Sequence, residues 1–178
     1  MEKESKKKVS IVPKDYHHND VAKRNIVKEQ LEWIKRQLEY ATFSNEYKIR
    51  MDVKKGEIYE IDWGVNVNAE FSNRHYGVVL RDSNKYDPLV LVCPLKTNKK
   101  GGHPASDIDL GYIDELQSEH KTLAVINQTR TIDKMRIFSK HAISDNAIQS
   151  NEIPILPENK LKLILTAYFN FIYGANIQ

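Results

Sequence analysis

Short runs of β-branched and other apolar residues follow one another closely through the middle of the chain. The runs "GEIYEIDWG", "YGVVLRD", "LVLVCPL" and "KTLAVINQTRT" are bounded by Asn, Asp, Pro and Lys. Runs of this kind are typical of β-strands. They lie too close together for the crossover helices that parallel strands require. The sequence therefore predicts mainly antiparallel pairing in a small, strongly curved sheet or barrel.

The first run and a later loop show how the strands are covered and separated. "GEIYEIDWG" alternates without a clean polar face, which predicts a strand covered on both sides. The segment "KTNKKGGHPASD" carries a Gly pair, a Pro and three lysines, and it predicts an exposed, mobile loop. A short polar helix is expected at about 144–150.

Two amphipathic helices are expected to flank the strands. The first begins at about Asn19-Asp20, a plausible N-cap, and its apolar stripe consists of Val27, Leu31, Ile34, Leu38 and Ala41. A stripe this narrow resembles a coiled-coil seam, so the helix docks on the body, pairs with a second copy or receives a partner protein. The second helix begins at Pro157 and Glu158, and its stripe is expected to cover one end of the sheet through Leu161, Ile164, Leu165, Tyr168 and Ile172.

Composition and charge divide the chain into a compact domain with an appendage. The 178 residues have 40% hydrophobic and 29% charged content, close to ordinary globular usage. We expect a flexible basic tail at 1–18, a helical extension at 19–50 and a compact domain at 51–178. A net charge of +3 favours a polyanionic partner only slightly.

The cysteine content and the apolar runs bear on location. A single cysteine, Cys93, excludes an internal disulfide, and no apolar run approaches the roughly 20 residues needed to span a bilayer. The basic start of the chain lacks the apolar region of a secretory signal. A cytoplasmic protein without a membrane partner is expected.

Four polar clusters occur at the ends of strands or in loops. They are "EFSNRH" before "YGVVL", "PLKTNKK" after "LVLVC", His103-Pro104, and "NQTRTIDKMR". Loops on a rigid sheet commonly carry function, because they can converge without disturbing the core. The clusters are therefore candidates for one shared site.

The order of these clusters resembles the MazF/PemK (Kid) family of toxin ribonucleases. The corresponding segments are "GEIYEIDWG", "NRHYGVVLRDSNKYDPLVLVCPLKT" and "NQTRTIDKMRI", which together cover about residues 53–140. The resemblance implies a small β-barrel with helices packed around it, working as a homodimer. It also implies metal-independent cleavage of single-stranded RNA, a cognate antitoxin as partner, and a toxin domain over 51–178.

Cleavage of RNA without a metal sets requirements that the side chains must meet. The 2′-hydroxyl attacks its own phosphate, so the reaction needs a base, an acid and positive donors for the charge that develops. Arginine suits the last task, because its planar fork binds two phosphate oxygens and keeps its charge. Arg74 matches the catalytic arginine of the family. The structural alternative is a surface arginine paired with an acid such as Glu70.

Two departures from the family pattern affect the remaining catalytic positions. Lys96 stands where the family has a catalytic Thr or Ser, and Thr97 follows one residue later. A lysine supplies charge but not a neutral hydroxyl, and a bulge is needed to bring Thr97 to the same face. The alternative is a solvated turn. His75 replaces a proline of the family and is a further acid or base candidate, because an imidazole can exchange a proton near neutral pH; His103 and His120 are candidates of the same kind.

The remaining polar residues are expected to bind RNA. The set predicted to line the groove consists of Glu70, Phe71, Asn73, Gln128, Arg130 and Thr131. We expect Arg74 to face the same cleft as Gln128 and Arg130. Among nearby aromatic residues, Phe71 is the best candidate for stacking on a base, because its neighbours are polar.

The segment that carries Gln128 and Arg130 also has a structural interpretation. Asp133 is expected to bond backbone amides in its turn. Alternatively, Arg130 and Asp133 form an ion pair that holds two loops together.

The whole pattern predicts a toxin-type endoribonuclease that leaves a 2′,3′-cyclic phosphate and a 5′-hydroxyl. No cofactor is expected, and six histidines without H-x-x-x-H spacing or Cys pairing argue against a zinc site. A different hypothesis is a nucleic-acid-binding module without catalysis, or a CcdB-like topoisomerase poison, on the same fold. In a third, the first helix makes the chain chiefly an interaction protein.

Overall fold

The structure, a computed structural model, describes residues 20–46, 51–67, 69–99, 101–116, 118–138 and 153–174, with the side chains of 26–42 in the first helix. The predicted tail at 1–18 and the polar helix expected at 144–150 lie outside these ranges. The strands are β1 (Ile58–Asp62), β2 (Arg74–Val79), β3 (Leu89–Thr97), β4 (Asp107–Gly111), β5 (Thr122–Val125) and β6 (Arg130–Asp133). The helices are α1 (Asp20–Glu46) and α2 (Glu158–Tyr173). The predicted combination of an antiparallel sheet with two helices is confirmed.

Strand β3 is the centre of the sheet. The order of the strands is β1-β2-β3-β5-β4, and β6 also pairs with β3. The first half of β3 pairs with β6 over Leu89–Val92, and its end pairs with β5 over Leu95–Thr97. Pro94, which has no N–H to donate, lies where the partner changes. The pairing path ends at β1 and β4 without closing, so the predicted barrel is matched only approximately.

The segment "KTLAVINQTRT" is two strands rather than the single strand that was predicted. A 3-10 turn at Ile126–Gln128 separates β5 from β6. The turn lets the chain pass from the end of β3 to its first half, and the buried side chain of Ile126 anchors it. The loop predicted before β5 occupies 98–106, and the short strand β4 that follows it was not predicted.

Both faces of the sheet are covered, as the pattern of the first strand predicted. Ile58 belongs to one buried cluster, whereas Tyr59, Ile61 and Trp63 belong to the cluster on the opposite face. The stripe of α2 packs on the first cluster through Leu161, Ile164, Leu165 and Tyr168. Ile172 was wrongly included, because it is 60% exposed at the second-last position of the helix, which ends at Tyr173.

Helix α1 docks on the end of β1, but not through its apolar stripe. Trp33 is 6% exposed and packs on Gly64. The Nε atom of Arg36 lies 3.0 Å from Oδ2 of Asp62, and the hydroxyl of Tyr40 donates to the same oxygen at 3.0 Å. These side chains are three, four and seven residues apart, so they share one face of the helix.

The apolar stripe of α1 lies on the opposite side and is exposed. Val27, Leu31, Ile34 and Leu38 are 58%, 61%, 50% and 65% exposed. Of the three alternatives for this stripe, docking on the body is therefore wrong for Val27, Leu31, Ile34 and Leu38. The helix instead uses polar and aromatic groups to reach the buried carboxylate of Asp62.

We predict that Gly64→Ala weakens the docking of α1. A Cβ at residue 64 would lie 2.6 Å from Cζ2 of Trp33, and the backbone φ is +87°. Gly111 has a φ of +68° but nothing within 4 Å, so Gly111→Ala is the matched control for backbone strain alone. In urea titrations, Gly64→Ala should lower the free energy of unfolding by about 1 to 3 kcal/mol more than the control does. Equal losses would contradict the packing of Trp33 on this glycine.

Candidate active site

A cleft of about 240 Å³ opens where β1, β2, β3 and β5 meet. All four residues predicted to be catalytic, Arg74, His75, Lys96 and Thr97, lie along it. The other described residues that line it are Glu60, Tyr76, Leu95, Leu116, Ser118 and Thr122.

Strand register places a carboxylate near Arg74. Asp62 lies opposite Arg74, and Glu60 lies opposite Tyr76. Because side chains alternate along a strand, Glu60, Arg74 and Tyr76 share the face that also carries Ile58. Glu60 was not predicted as a site residue. The alternation of "GEIYEIDWG" was visible in the sequence, but the register that puts Glu60 near Arg74 was not.

The guanidinium of Arg74 rests on an aromatic ring. Its Cζ atom lies 3.7 Å from the ring centroid of Phe138, whose N–H donates to the carbonyl of Glu60 at 3.0 Å. Within the described ranges Arg74 forms no ion pair. The alternative pairing with Glu70 is wrong, since that carboxylate accepts from the N–H of Val67 at 3.2 Å. The N–H donors of Arg74 are left without a partner in the described part of the chain.

Lys96 and Thr97 have different surroundings. The Nζ atom of Lys96 lies 2.6 Å from Oδ2 of Asp107, whose side chain is 1% exposed. Burial alone would raise the pKa of Asp107, but hydrogen bonds from Lys96 and from the N–H of His103 hold it below its usual value. Thr97 is exposed beside Thr122, its partner across the sheet. The Thr97 side chain thus reaches the cleft at the end of β3 while Lys96 is held by a carboxylate.

Gln128 and Arg130 are not among the described residues that line this cleft. The Oε1 atom of Gln128 accepts from the N–H of Phe71 at 3.3 Å. Nη2 of Arg130 donates to the carbonyl of Trp63 at 2.7 Å, and its guanidinium lies 5.2 Å from the ring of Trp63. Burial, and then the neighbouring Arg136, lower the pKa of Arg130. Both side chains hold the loop that follows β1.

The cleft and the loop after β1 meet at three rings, those of Phe71, His75 and Trp63. The Phe71 centroid lies 4.8 Å from that of His75 and 5.3 Å from that of Trp63. The indole N–H of Trp63 also donates to the carbonyl of His75 at 3.2 Å. The cleft and the loop after β1 are therefore contiguous, although Arg74 does not share its cleft with Gln128 and Arg130 as expected.

The remaining predicted residues lie on the rim. Asn73 has a φ of +66° and lines a groove beside Arg36 of α1, and Thr131 is exposed in β6. The turn interpretation of Asp133 is confirmed, because its Oδ1 accepts from the N–H of Met135 at 2.8 Å. The alternative ion pair between Arg130 and Asp133 is not formed.

Lys134 is a buried residue that the sequence did not indicate. It is 1% exposed, and its Nζ donates to the carbonyls of Met51 at 3.0 Å and Asn84 at 2.7 Å. Burial lowers the pKa of this amine. It joins the segment before β1 to the turn before β3. A lysine in a polar run gives no sign of such burial.

Comparison with known proteins assigns the family of the chain and agrees with the arrangement of its strands. A family model for the PemK-like, MazF-like toxin of type II toxin-antitoxin systems matches residues 54–154, more than half of the chain. The chain belongs to this toxin family. The matched range contains all six strands and every residue predicted for the site. No curated protein matches the sequence significantly.

A solved structure of a toxin shares the fold at low sequence identity. A crystal structure of MazF (Form-I) from Deinococcus radiodurans is 16% identical, has a TM-score of 0.51, and the match covers 70% of this chain and 98% of that one. An endoribonuclease in complex with its cognate antitoxin from Mycobacterial species is 15% identical, with a TM-score of 0.44 over 68% and 95% of the two chains.

No helix in the described ranges has the length and apolar character needed to cross a bilayer.

The environment of His75 predicts a pH dependence of stability. Burial lowers the pKa of its imidazole from 6.5, although Glu60 acts in the opposite direction. The unfolded chain therefore binds the proton more readily, so the contribution of His75 to stability is present above about pH 6.5 and is lost as the pH falls. In urea titrations at pH 7.5 and pH 5, His75→Gln should lose less stability on acidification than the wild type. Equal losses would contradict this prediction.

Proposed function

We propose that this toxin is an endoribonuclease that cleaves single-stranded RNA without a metal ion. A base takes the proton of the 2′-hydroxyl, the oxygen attacks the adjacent phosphate, and the bond to the 5′-oxygen breaks. The departing 5′-oxygen takes up a proton from solvent, so the products carry a 2′,3′-cyclic phosphate and a 5′-hydroxyl. The observation that carries the proposal is the presence of Glu60, Arg74 and Thr97 in one cleft. They supply a carboxylate, a guanidinium and a hydroxyl, the groups that this reaction uses.

Arg74 stabilises the charge that develops on the phosphate. Its guanidinium lies on the face of Phe138 and forms no ion pair within the described ranges. A planar fork with free donors is suited to two phosphate oxygens at once. The hydroxyl of Thr97 positions the same phosphate from β3.

Glu60 is the proposed base for the 2′-hydroxyl. It lines the cleft together with Arg74 and shares the face of the sheet with Arg74 and Tyr76, and a carboxylate can accept the proton of a hydroxyl. His75 is less suited to donating a proton near neutral pH, because burial lowers its pKa and favours the neutral imidazole.

The loop after β1 is proposed to guide RNA toward the cleft. Phe71 stacks beside His75 at the boundary of the cleft, where a splayed base can contact its ring. Glu70, Asn73 and Thr131 are exposed around it and offer polar contacts. Gln128 and Arg130 act through this loop by holding its main chain in place.

We further propose an antitoxin partner, a homodimer and a cytoplasmic location. The family consists of toxins of type II toxin-antitoxin systems. Structures of MazE–MazF from Deinococcus radiodurans and of the mycobacterial endoribonuclease with its cognate antitoxin support a protein partner for this chain. Co-purification with the product of a neighbouring gene would test that partner.

The nuclease proposal predicts cleavage of mixed-sequence RNA in excess EDTA. Arg74→Ala should lower the rate by roughly 100- to 1,000-fold, because it removes the main donor for the developing charge. Arg81→Ala is the control, since this exposed arginine follows β2 and lies outside the cleft. End-group analysis should find 5′-hydroxyl and 2′,3′-cyclic phosphate ends. Intact RNA with the wild type, or equal cleavage by Arg74→Ala, would overturn the proposal.

Thr97→Val should lower the rate of RNA cleavage, whereas Lys96→Met should lower the stability of the fold. Thr97→Val removes one hydroxyl without a change in volume, so cleavage should fall by about 10-fold or more with stability nearly unchanged. Lys96→Met leaves the buried Asp107 without its cation, so stability should fall by roughly 1 to 3 kcal/mol. The cleavage rate per folded molecule of that variant should stay within a few fold. Loss of cleavage in Lys96→Met alone would assign the phosphate contact to the lysine.

A further inference from the structure

The two faces of helix α1 have different surroundings. One face docks on the domain through Trp33, Arg36 and Tyr40. The opposite face exposes Val27, Leu31, Ile34 and Leu38, each by half or more of its surface. A contiguous exposed apolar stripe on a helix marks an interaction surface. The domain does not obstruct this stripe, because it covers the other side of the helix.

The spacing of the stripe matches a seam between helices. Residues 27, 31, 34, 38 and 41 follow steps of four and three, the heptad pattern in which a and d positions meet a partner helix. The stripe is about 21 Å long at 1.5 Å per residue. Leucines occupy the a positions, 31 and 38, and the β-branched Val27 and Ile34 occupy d positions. In parallel assemblies this distribution favours more than two helices.

The residues that flank the seam favour a copy of the same helix in parallel orientation. Lys28 and Lys35 occupy e positions, and Gln30 and Gln37 occupy g positions. Parallel helices bring g of one chain beside e of the other, so Gln30 meets Lys35 without like charges. Antiparallel helices would bring the lysines of the two chains together, which is unfavourable.

We propose that the exposed stripe of α1 is a self-association surface on which α1 helices from further copies of this chain pack in parallel. The surface lies outside the segment that matches the toxin family, so it adds an assembly contact to the domain. The proposal does not rest on the nuclease proposal, because none of the seam residues lines the cleft.

The full chain with Leu31→Glu and Leu38→Glu tests the seam. Light scattering over a range of concentrations should show that the wild type has at least twice the molar mass of this variant, or that its complex dissociates at 100-fold lower concentration. Circular dichroism should show unchanged helix content. Glu32→Ala with Glu39→Ala, at two exposed positions of the same helix, should behave like the wild type. The same mass and the same concentration dependence for all three proteins would overturn the proposal.

A disulfide tests the orientation. In Val27→Cys, parallel helices bring the new thiols of neighbouring chains together, so oxidation should link the chains. Antiparallel helices would hold the thiols about 20 Å apart, beyond the reach of a disulfide. Cys93, the only native cysteine, is buried and does not compete. Oxidation without linked chains would overturn the parallel arrangement. RNA cleavage by the seam variant, measured separately, reports on the active site alone.

Discussion

The buried carboxylate of Asp62 is the group on which the arrangement around the site depends. Its side chain has no exposed surface, and a charge in that position is costly unless it is paired and hydrogen-bonded. Arg36 and Tyr40 of α1 supply a cation and a hydroxyl, and the N–H of Gly64 adds a third contact at 3.1 Å. Burial first, and then Asp62, raise the pKa of Tyr40 to about 12, so its hydroxyl remains a donor. The helix thus completes the end of β1.

The polar run "QTRTIDKMRI" has a structural role at the same end of β1. Arg130 donates to the carbonyl of Trp63, and Nη1 of Arg136 lies 3.4 Å from the carbonyls of both Asp62 and Trp63. These carbonyls lie where the main chain leaves the sheet, and that of Trp63 also accepts from Nδ2 of Asn66 at 2.9 Å. Two arginines, together with the turn closed by Asp133, therefore hold the loop that carries Phe71 toward Arg74. The polar residues in "QTRTIDKMRI" serve the scaffold before they serve a ligand.

The sequence predicted the strands and the residues of the cleft better than it predicted their neighbours. Apolar runs and turn residues depend on local chemistry, and Arg74 and Thr97, which the resemblance singled out, lie along one cleft. Glu60 was not predicted as a site residue, because its position relative to Arg74 depends on strand register. The burial of Lys134 was not predicted either, because its carbonyl partners are 50 and 83 residues away.

The face through which α1 docks was not predicted, for a related reason. The apolar stripe left three alternatives open, namely docking on the body, pairing with a second copy or receiving a partner protein, because each of them covers apolar side chains. The partner on the domain is a carboxylate next to a glycine, so the face that fits it carries an arginine, a tyrosine and a tryptophan. Which face a helix buries depends on the surface it meets, and that surface is formed here by residues more than twenty positions later in the chain.

The contact between Arg74 and Phe138 determines what an incoming anion has to displace. An anion that binds a guanidinium already paired with a carboxylate must displace that carboxylate. The free energy lost in breaking the first ion pair offsets much of the free energy gained from the second. A ring face holds the group by its plane, and within the described ranges the guanidinium forms no ion pair. An anion that approaches Arg74 therefore displaces no carboxylate of these ranges, and its attraction to the guanidinium should weaken as salt is added.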